Sequence, residues 1–303
     1  MPDHTIQACV IPPPVEPRLL LGVSMAFLRQ FARDAGATAE TLTVELVQQV
    51  RDRTALSGQS LAESLVGSVA DNAPLAGPAT LFVSHAQQCS FTKMLDALDE
   101  FVARERLEST ATFFWVDAFS IRQSDVANDI AQIGAIERQI GKVVMVLDPW
   151  DKPRCLTRVW CLYEVVHCCI VKSDTFLKFT MAPNEWGLFK RAVASDPSAV
   201  ERLVQFDARA AEATVEDDRK MIMRLIESQF HVEAATVVRI DPSGDHIDRF
   251  NRSLRRTLSA TLTDVVNGMV GCDKCKEALP AVNKAARVGL DDEATPSPVA
   301  TAR

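Results

Sequence analysis

The sequence predicts an α/β protein: a parallel sheet covered by helices on both faces, with helical extensions before and after it. Three observations carry this. Apolar, β-favouring runs recur between Thr80 and Phe206 and are nearly continuous, as strands buried on both faces must be. Stretches of helical apolar spacing separate them, the alternation that parallel strands need for their crossovers. The flanks, 18–69 and 211–270, carry helical period without a strong β signal.

In order, Met1–Pro17 is Pro-rich and reads as irregular. From Arg18 to about Val69 the pattern is helical, with Leu42, Leu46, Val47 and Val50 on one stripe. Asp71–Pro78 (DNAPLAGP) holds two prolines and a glycine and reads as a linker. Thr80–Ser84 is the first strand. Phe91–Arg106 is an amphipathic helix with Met94, Leu95, Leu98, Phe101 and Val102 on its apolar stripe. Thr112–Val116 is the second strand, and Ile130–Ile140 a helix ended by Gly141. Lys142–Leu147 (KVVMVL) is the third strand, stopped by Asp148-Pro149. Thr157–Val171 is helical, Thr175–Met181 (TFLKFTM) a fourth strand, Pro183–Val193 a helix, and Leu203–Phe206 a short fifth strand. Val215–Phe230 and His246–Val270 are helical by period, and the chain from Gly271 onward is small, polar and expected to be disordered. The units are therefore 1–17, 18–78, 79–210, 211–270 and 271–303, and no internal repeat is present.

A composition of 47% hydrophobic and 24% charged residues allows a sizeable core. The net charge of −7 argues against a general nucleic-acid or membrane-surface binder, since both need clustered Lys and Arg. Val165–Val171, the best apolar stretch, is far too short to span a bilayer. The opening MPDHTIQACVIPPP lacks the basic and apolar regions of a secretory signal. Several of the eight cysteines (Cys161, Cys168, Cys169) sit in apolar helical patterns, where reduced cysteine acts as a small hydrophobe. A cytosolic protein is expected.

Ligands of open α/β sheets sit beyond the carboxyl ends of the strands. The first strand ends in Ser84-His85, the second in Asp117-Ala118-Phe119-Ser120, the third in Asp148-Pro149-Trp150. Together these outline a site. In the next helix Val159, Leu162, Val165, Val166 and Cys169 share a face suited to the sheet, while Trp160, Glu164, His167 and Cys168 fall opposite. Trp160 and Glu164 are one turn apart, which puts an aromatic plane beside a carboxylate. A Trp on that face calls for a cover: a ligand, another helix or a partner. By period alone, Glu164 is a solvated carboxylate paired with Arg158 or Lys172.

Ser84-His85-Ala86 after the first strand, Trp115-Val116-Asp117 at the second, and Leu156-Thr157-Arg158-Val159-Trp160-Cys161-Leu162-Tyr163-Glu164 after the third form a recognisable series. In it the chain resembles a divergent TIR (Toll/interleukin-1 receptor-like) domain, similar to TIR-like domains of protist and algal families, over roughly Thr80 to Ala210. The resemblance implies a flavodoxin-like sheet of about five parallel strands. It implies either cleavage of NAD at the nicotinamide–ribose bond or self-association as a signalling scaffold, in cytosolic defence or stress signalling. A nucleotide sensor that binds without turnover is a third possibility. It maps the catalytic carboxylate onto Glu164.

Nicotinamide leaves a cationic N-glycoside as a neutral base, so one carboxylate can suffice where ordinary glycosidases use two. Around Glu164, Ser84 and backbone groups after the first strand are suited to hold ribose or phosphate, Trp160 or Trp150 to stack on adenine or nicotinamide, and Arg122 or Arg158 to oppose a phosphate, with His85 a further substrate-binding candidate. Trp115, Asp117 and Ser120 complete the substrate-binding candidates. NAD is then substrate, with no cofactor and no metal implied. The loop Asp117–Asp129 (DAFSIRQSDVAND) departs from the Gly-Pro character of animal and plant relatives. Neither a dinucleotide fingerprint nor a Walker sequence occurs, which argues against an NAD-dependent oxidoreductase or an NTPase.

Other signals have plainer readings. Cys272-Asp273-Lys274-Cys275 lacks the second ligand pair of a zinc site. His167-Cys168-Cys169 point different ways around a helix, and Cys161 has no positioned base. His85 at a strand end is more often a packing residue than a base. Glu216, Asp217 and Asp218 suit a helix N-terminus, and Arg252, Arg255 and Arg256 a solvated face.

Overall fold

The computed structural model describes residues 15–170, 177–196, 199–234 and 245–268. The segments 1–14 and 271–303, Lys172, and the side chains of His167 and Cys169 lie outside the described residues. In chain order the elements are β1 (Leu21–Ser24), α1 (Met25–Asp34), α2 (Thr43–Thr54), α3 (Leu61–Ser64), β2 (Val69–Ala70), β3 (Ala73–Pro74), β4 (Ala76–Pro78) and β5 (Leu81–Ser84). Then come α4 (Phe91–Arg104), β6 (Phe113–Trp115), α5 (Asp117–Ser120), α6 (Val126–Ile130), α7 (Ile133–Ile140) and β7 (Val143–Val146). The rest are α8 (Val159–Ile170), β8 (Leu177–Thr180), α9 (Pro183–Ser195), α10 (Ala199–Val204), α11 (Glu216–Ala234) and α12 (His246–Gly268).

The main sheet has six strands in the order β4-β1-β6-β5-β7-β8. From β6 to β8 all pairs are parallel, and β5 lies between the two strands that follow it, the flavodoxin-like arrangement. Successive strand residues face opposite sides. Phe82, Trp115, Val143 and Met145 enter one core with α8, α11 and α12, whereas Leu81, Val83, Phe114, Val144 and Val146 enter the other with α1, α2 and α4. Ser84 has the parity of Phe82, so it points to the α8 side.

Two expectations are corrected. The chain before Thr80 is not purely helical with a linker: β1 pairs antiparallel with β6, and β4 pairs antiparallel with β1 at the sheet edge. Close pairing is possible because Gly22 has no side chain, and a Cβ there would lie 2.8 Å from the Phe114 carbonyl. At the start of the expected linker, β2 just before it and β3 within it form a hairpin whose turn residues Asp71 and Asn72 take φ of 50° and 63°, values that Asx residues tolerate. Leu203–Phe206 is no strand. Leu203 and Val204 are the last residues of α10, and a short apolar run does not distinguish the two by period. The parallel part therefore has four strands.

Candidate functional site

A cleft of about 300 Å³ opens beyond β5 and β6, at the carboxyl edge where strand order reverses around β5. Its inner wall is His85 and Ala86 from the end of β5, Asp117 and Ala118 from the start of α5, and Cys161 and Glu164 from α8. Arg158, Trp160 and Gln123, all partly exposed, also line it.

Glu164 is only 8% exposed, not a solvated carboxylate. The face of α8 that the period left open is covered by α11 and α12, whose apolar stripes join the same core. Its Oε2 has no hydrogen-bond partner, and neither oxygen makes an ion pair among the described residues. Burial holds the carboxyl well above the ordinary range and the negative charge of Asp117 pushes the same way, while Ser84 opposes them. Ser84 lies near this carboxyl, yet its buried hydroxyl makes no hydrogen bond of full geometry.

His85 is also buried, with Nε2 unpartnered. Burial lowers its pKa and Asp117 opposes this, so the ring is neutral near pH 7. Asp117 accepts from the Ala118 amide at 2.7 Å and from the Gln87 side chain. The Cys161 thiol donates to the His85 carbonyl at 3.3 Å. Burial, reinforced by Glu164, pushes this thiol far up, so it is packed and not a nucleophile.

The mouth is built by segments outside the parallel α/β core. Val47 and Arg51 come from α2, Thr214 from the stretch entering α11 and Asp218 from the first turn of α11. That stretch runs as a strap along the start of α8. Glu212 donates to the Thr157 carbonyl at 2.8 Å and accepts from Val159 at 3.1 Å. Arg158 donates to the Thr214 hydroxyl at 2.9 Å, and Trp160 Nε1 to Asp218 at 3.3 Å. The cover that Trp160 requires is therefore this strap, with Tyr163 edge-on at 6.2 Å.

Of the candidates, the fold gathers Ser84, His85, Asp117, Arg158, Trp160 and Glu164 in or against this cleft. It places four others elsewhere. Trp115 is fully buried, stacked on Phe82 at 4.5 Å, and donates to the Leu19 carbonyl at 2.8 Å. Ser120 accepts from the Val116 amide at 3.3 Å, closing the turn into α5. Arg122 is paired with Glu63 at 2.7 Å. Trp150 packs on Phe189 and under Arg202, and its amide donates to Glu185 at 2.9 Å.

A further acid escaped sequence reasoning. Glu137 on α7 is 0% exposed, and neither carboxyl oxygen has a partner. Burial raises its pKa strongly, and the charge of Glu164 adds to this. Its place one turn after Ile133 was the available signal, since it puts the acid on the buried stripe of α7. Arg51, Gln87, Thr214 and Asp218 left no such trace, because only tertiary packing brings them to the cleft.

Comparison with protein-family models, with curated proteins and with solved structures finds no match to this chain. The site chemistry and the sequence resemblance therefore carry the functional argument. Among the described residues no cluster of His, Cys, Asp or Glu is arranged to hold a metal ion, and no helix is long and apolar enough to cross a membrane.

Proposed function

We propose that this chain is a TIR-like NAD glycohydrolase that cleaves the nicotinamide–ribose bond, with Glu164 as the catalytic carboxylate. One observation carries the reading: of the three carboxylates that line the cleft, Asp117, Glu164 and Asp218, the most buried, Glu164, has no cationic partner among the described residues. A buried carboxylate without a counter-charge is costly and is driven toward its neutral form. A substrate that brings positive charge reverses that balance. The pyridinium ring of NAD is such a group, and positive charge moves to ribose C1′ as the bond breaks.

In the proposed reaction the C1′–N bond breaks with both electrons passing to the nicotinamide nitrogen. Nicotinamide departs neutral, without a proton donor. Glu164, ionised by the bound cation, stabilises the oxocarbenium-like centre in a site where low dielectric strengthens the attraction. Water then adds to C1′, and its released proton passes to Asp117, less buried than Glu164, and on to solvent. Ser84 and His85 are suited to hold ribose hydroxyls, and Trp160 to cover the departing ring. NAD is consumed as substrate, and we place the activity in the cytosol, in defence or stress signalling.

Incubating the purified chain with NAD and separating the products is expected to give nicotinamide and ADP-ribose in equal amounts. A second reading, a non-catalytic self-associating scaffold, draws on the groove along α11, where Met221 is 45% exposed beside Lys220 and Arg224. Absence of nicotinamide together with a mass that grows with concentration would favour it.

A further inference from the structure

We propose that Arg51 and Arg158 form a diphosphate clamp at the mouth of the cleft, so that the N-terminal helix α2 supplies part of the substrate site. The inference rests on reading the cleft as a dinucleotide site. A volume of about 300 Å³ is at the small end of ligand pockets, which run from about 300 to 1,000 Å³. It suits one nucleoside end. The rest of a dinucleotide must leave through the mouth, past α2 and the strap.

Both arginines line the cleft, and neither is buried. Arg51 is exposed, and its guanidinium has no hydrogen bond or ion pair among the described residues. Arg158 donates to a neutral hydroxyl, that of Thr214. Elsewhere Arg18, Arg29, Arg122 and Arg209 are bound to carboxylates. In the cleft Asp117, Glu164 and Asp218 are all present, yet none captures either guanidinium. Asp117 is held by Gln87 and the Ala118 amide, and Asp218 by Trp160. The cleft thus has Glu164 at its buried end and, on its more exposed side, two guanidinium forks that no carboxylate takes up, with Asp218 there bonded to Trp160 instead. A molecule with a cationic end and an anionic middle fits that order, and diphosphate oxygens match the planar fork.

The test is binding of ADP-ribose to the full chain by calorimetry, which needs no turnover. Arg51→Ala is at an exposed position and is expected to fold. It should weaken ADP-ribose binding by roughly tenfold or more and flatten its salt dependence. Arg51→Lys should lose less than Arg51→Ala, and nicotinamide riboside, which has no phosphate, should bind wild type and Arg51→Ala alike. Equal ADP-ribose affinity in wild type and Arg51→Ala, or no binding to wild type, would overturn the clamp. Nicotinamide release by wild type, measured alongside, separates the two ideas. Release with an unaltered Arg51→Ala affinity leaves the glycohydrolase standing without the clamp. Arg51-dependent binding without release leaves the clamp standing without the reaction.

Discussion

Glu137 and Glu164 are two buried acids whose pKa values are raised chiefly by desolvation, and for Glu137 also by the charge of Glu164. A raised folded-state pKa contributes stability that is complete below the ordinary carboxylate value of 4.5 and is lost as pH climbs toward the raised value. Around the pair stand Asp117, His85, Ser84 and Cys161 on one side and Tyr163 and Arg138 on the other. His85 acts in the opposite sense: its depressed pKa makes stability fall as pH drops through 6.5, where the unfolded ring takes up a proton. Comparing Glu137→Gln with wild type isolates the acid from these neighbours. The variant should gain on wild type by about 1.4 kcal/mol per pH unit above the ordinary range, up to the raised pKa. Urea unfolding at pH 5, 6.5 and 8 reads this, and a pH-independent difference would show that Glu137 ionises normally. At this scale the motif residues Ser84, His85, Asp117 and Glu164 were legible because a strand end or one helical turn fixes where each lies. Glu137 was legible in principle from its stripe. Arg51 and Asp218 were not, since nothing local ties α2 or the strap to the strand ends.

At the scale of elements, β5, β6 and β7 could be read from sequence because each is an apolar run buried on both faces, and β8 because Leu177 and Phe179 alternate with Lys178 at its edge position. β1 could not. Its four residues, LGVS, include a glycine, and its partners lie far along the chain in β4 and β6. The glycine that weakens the strand signal is what permits the pairing. Gly22→Ala should therefore destabilise by about 1–3 kcal/mol through overpacking against the Phe114 backbone, measurable as a lowered unfolding midpoint. An unchanged midpoint would mean that β1 yields without cost. The same tertiary effect explains α8. Its two-sided burial comes from α11 and α12, which the period of α8 itself cannot report.

At the scale of the molecule, the segments flanking the parallel core belong to the fold and to the cleft. Removing residues 1–78 deletes β1 and β4 from the sheet and strips α1, α2 and α3 from one core. The β6 edge and the apolar face of α4 would then be bare. A chain starting at residue 79 is expected to be insoluble or to lose cooperative unfolding, and a well-folded, soluble product by circular dichroism and gel filtration would contradict that. The same closure makes Glu164 consequential, because its carboxylate stands between a packed interior and the cleft that the proposed function assigns to a charged substrate. The measurement to make first is nicotinamide release from NAD by wild type, Glu164→Gln and Glu164→Ala, each checked for native circular dichroism. Release by wild type, reduced by about 100-fold or more in both variants, is the expected result. Release that survives in folded Glu164→Gln would place the chemistry elsewhere, and no release from wild type at any protein concentration would remove the glycohydrolase itself.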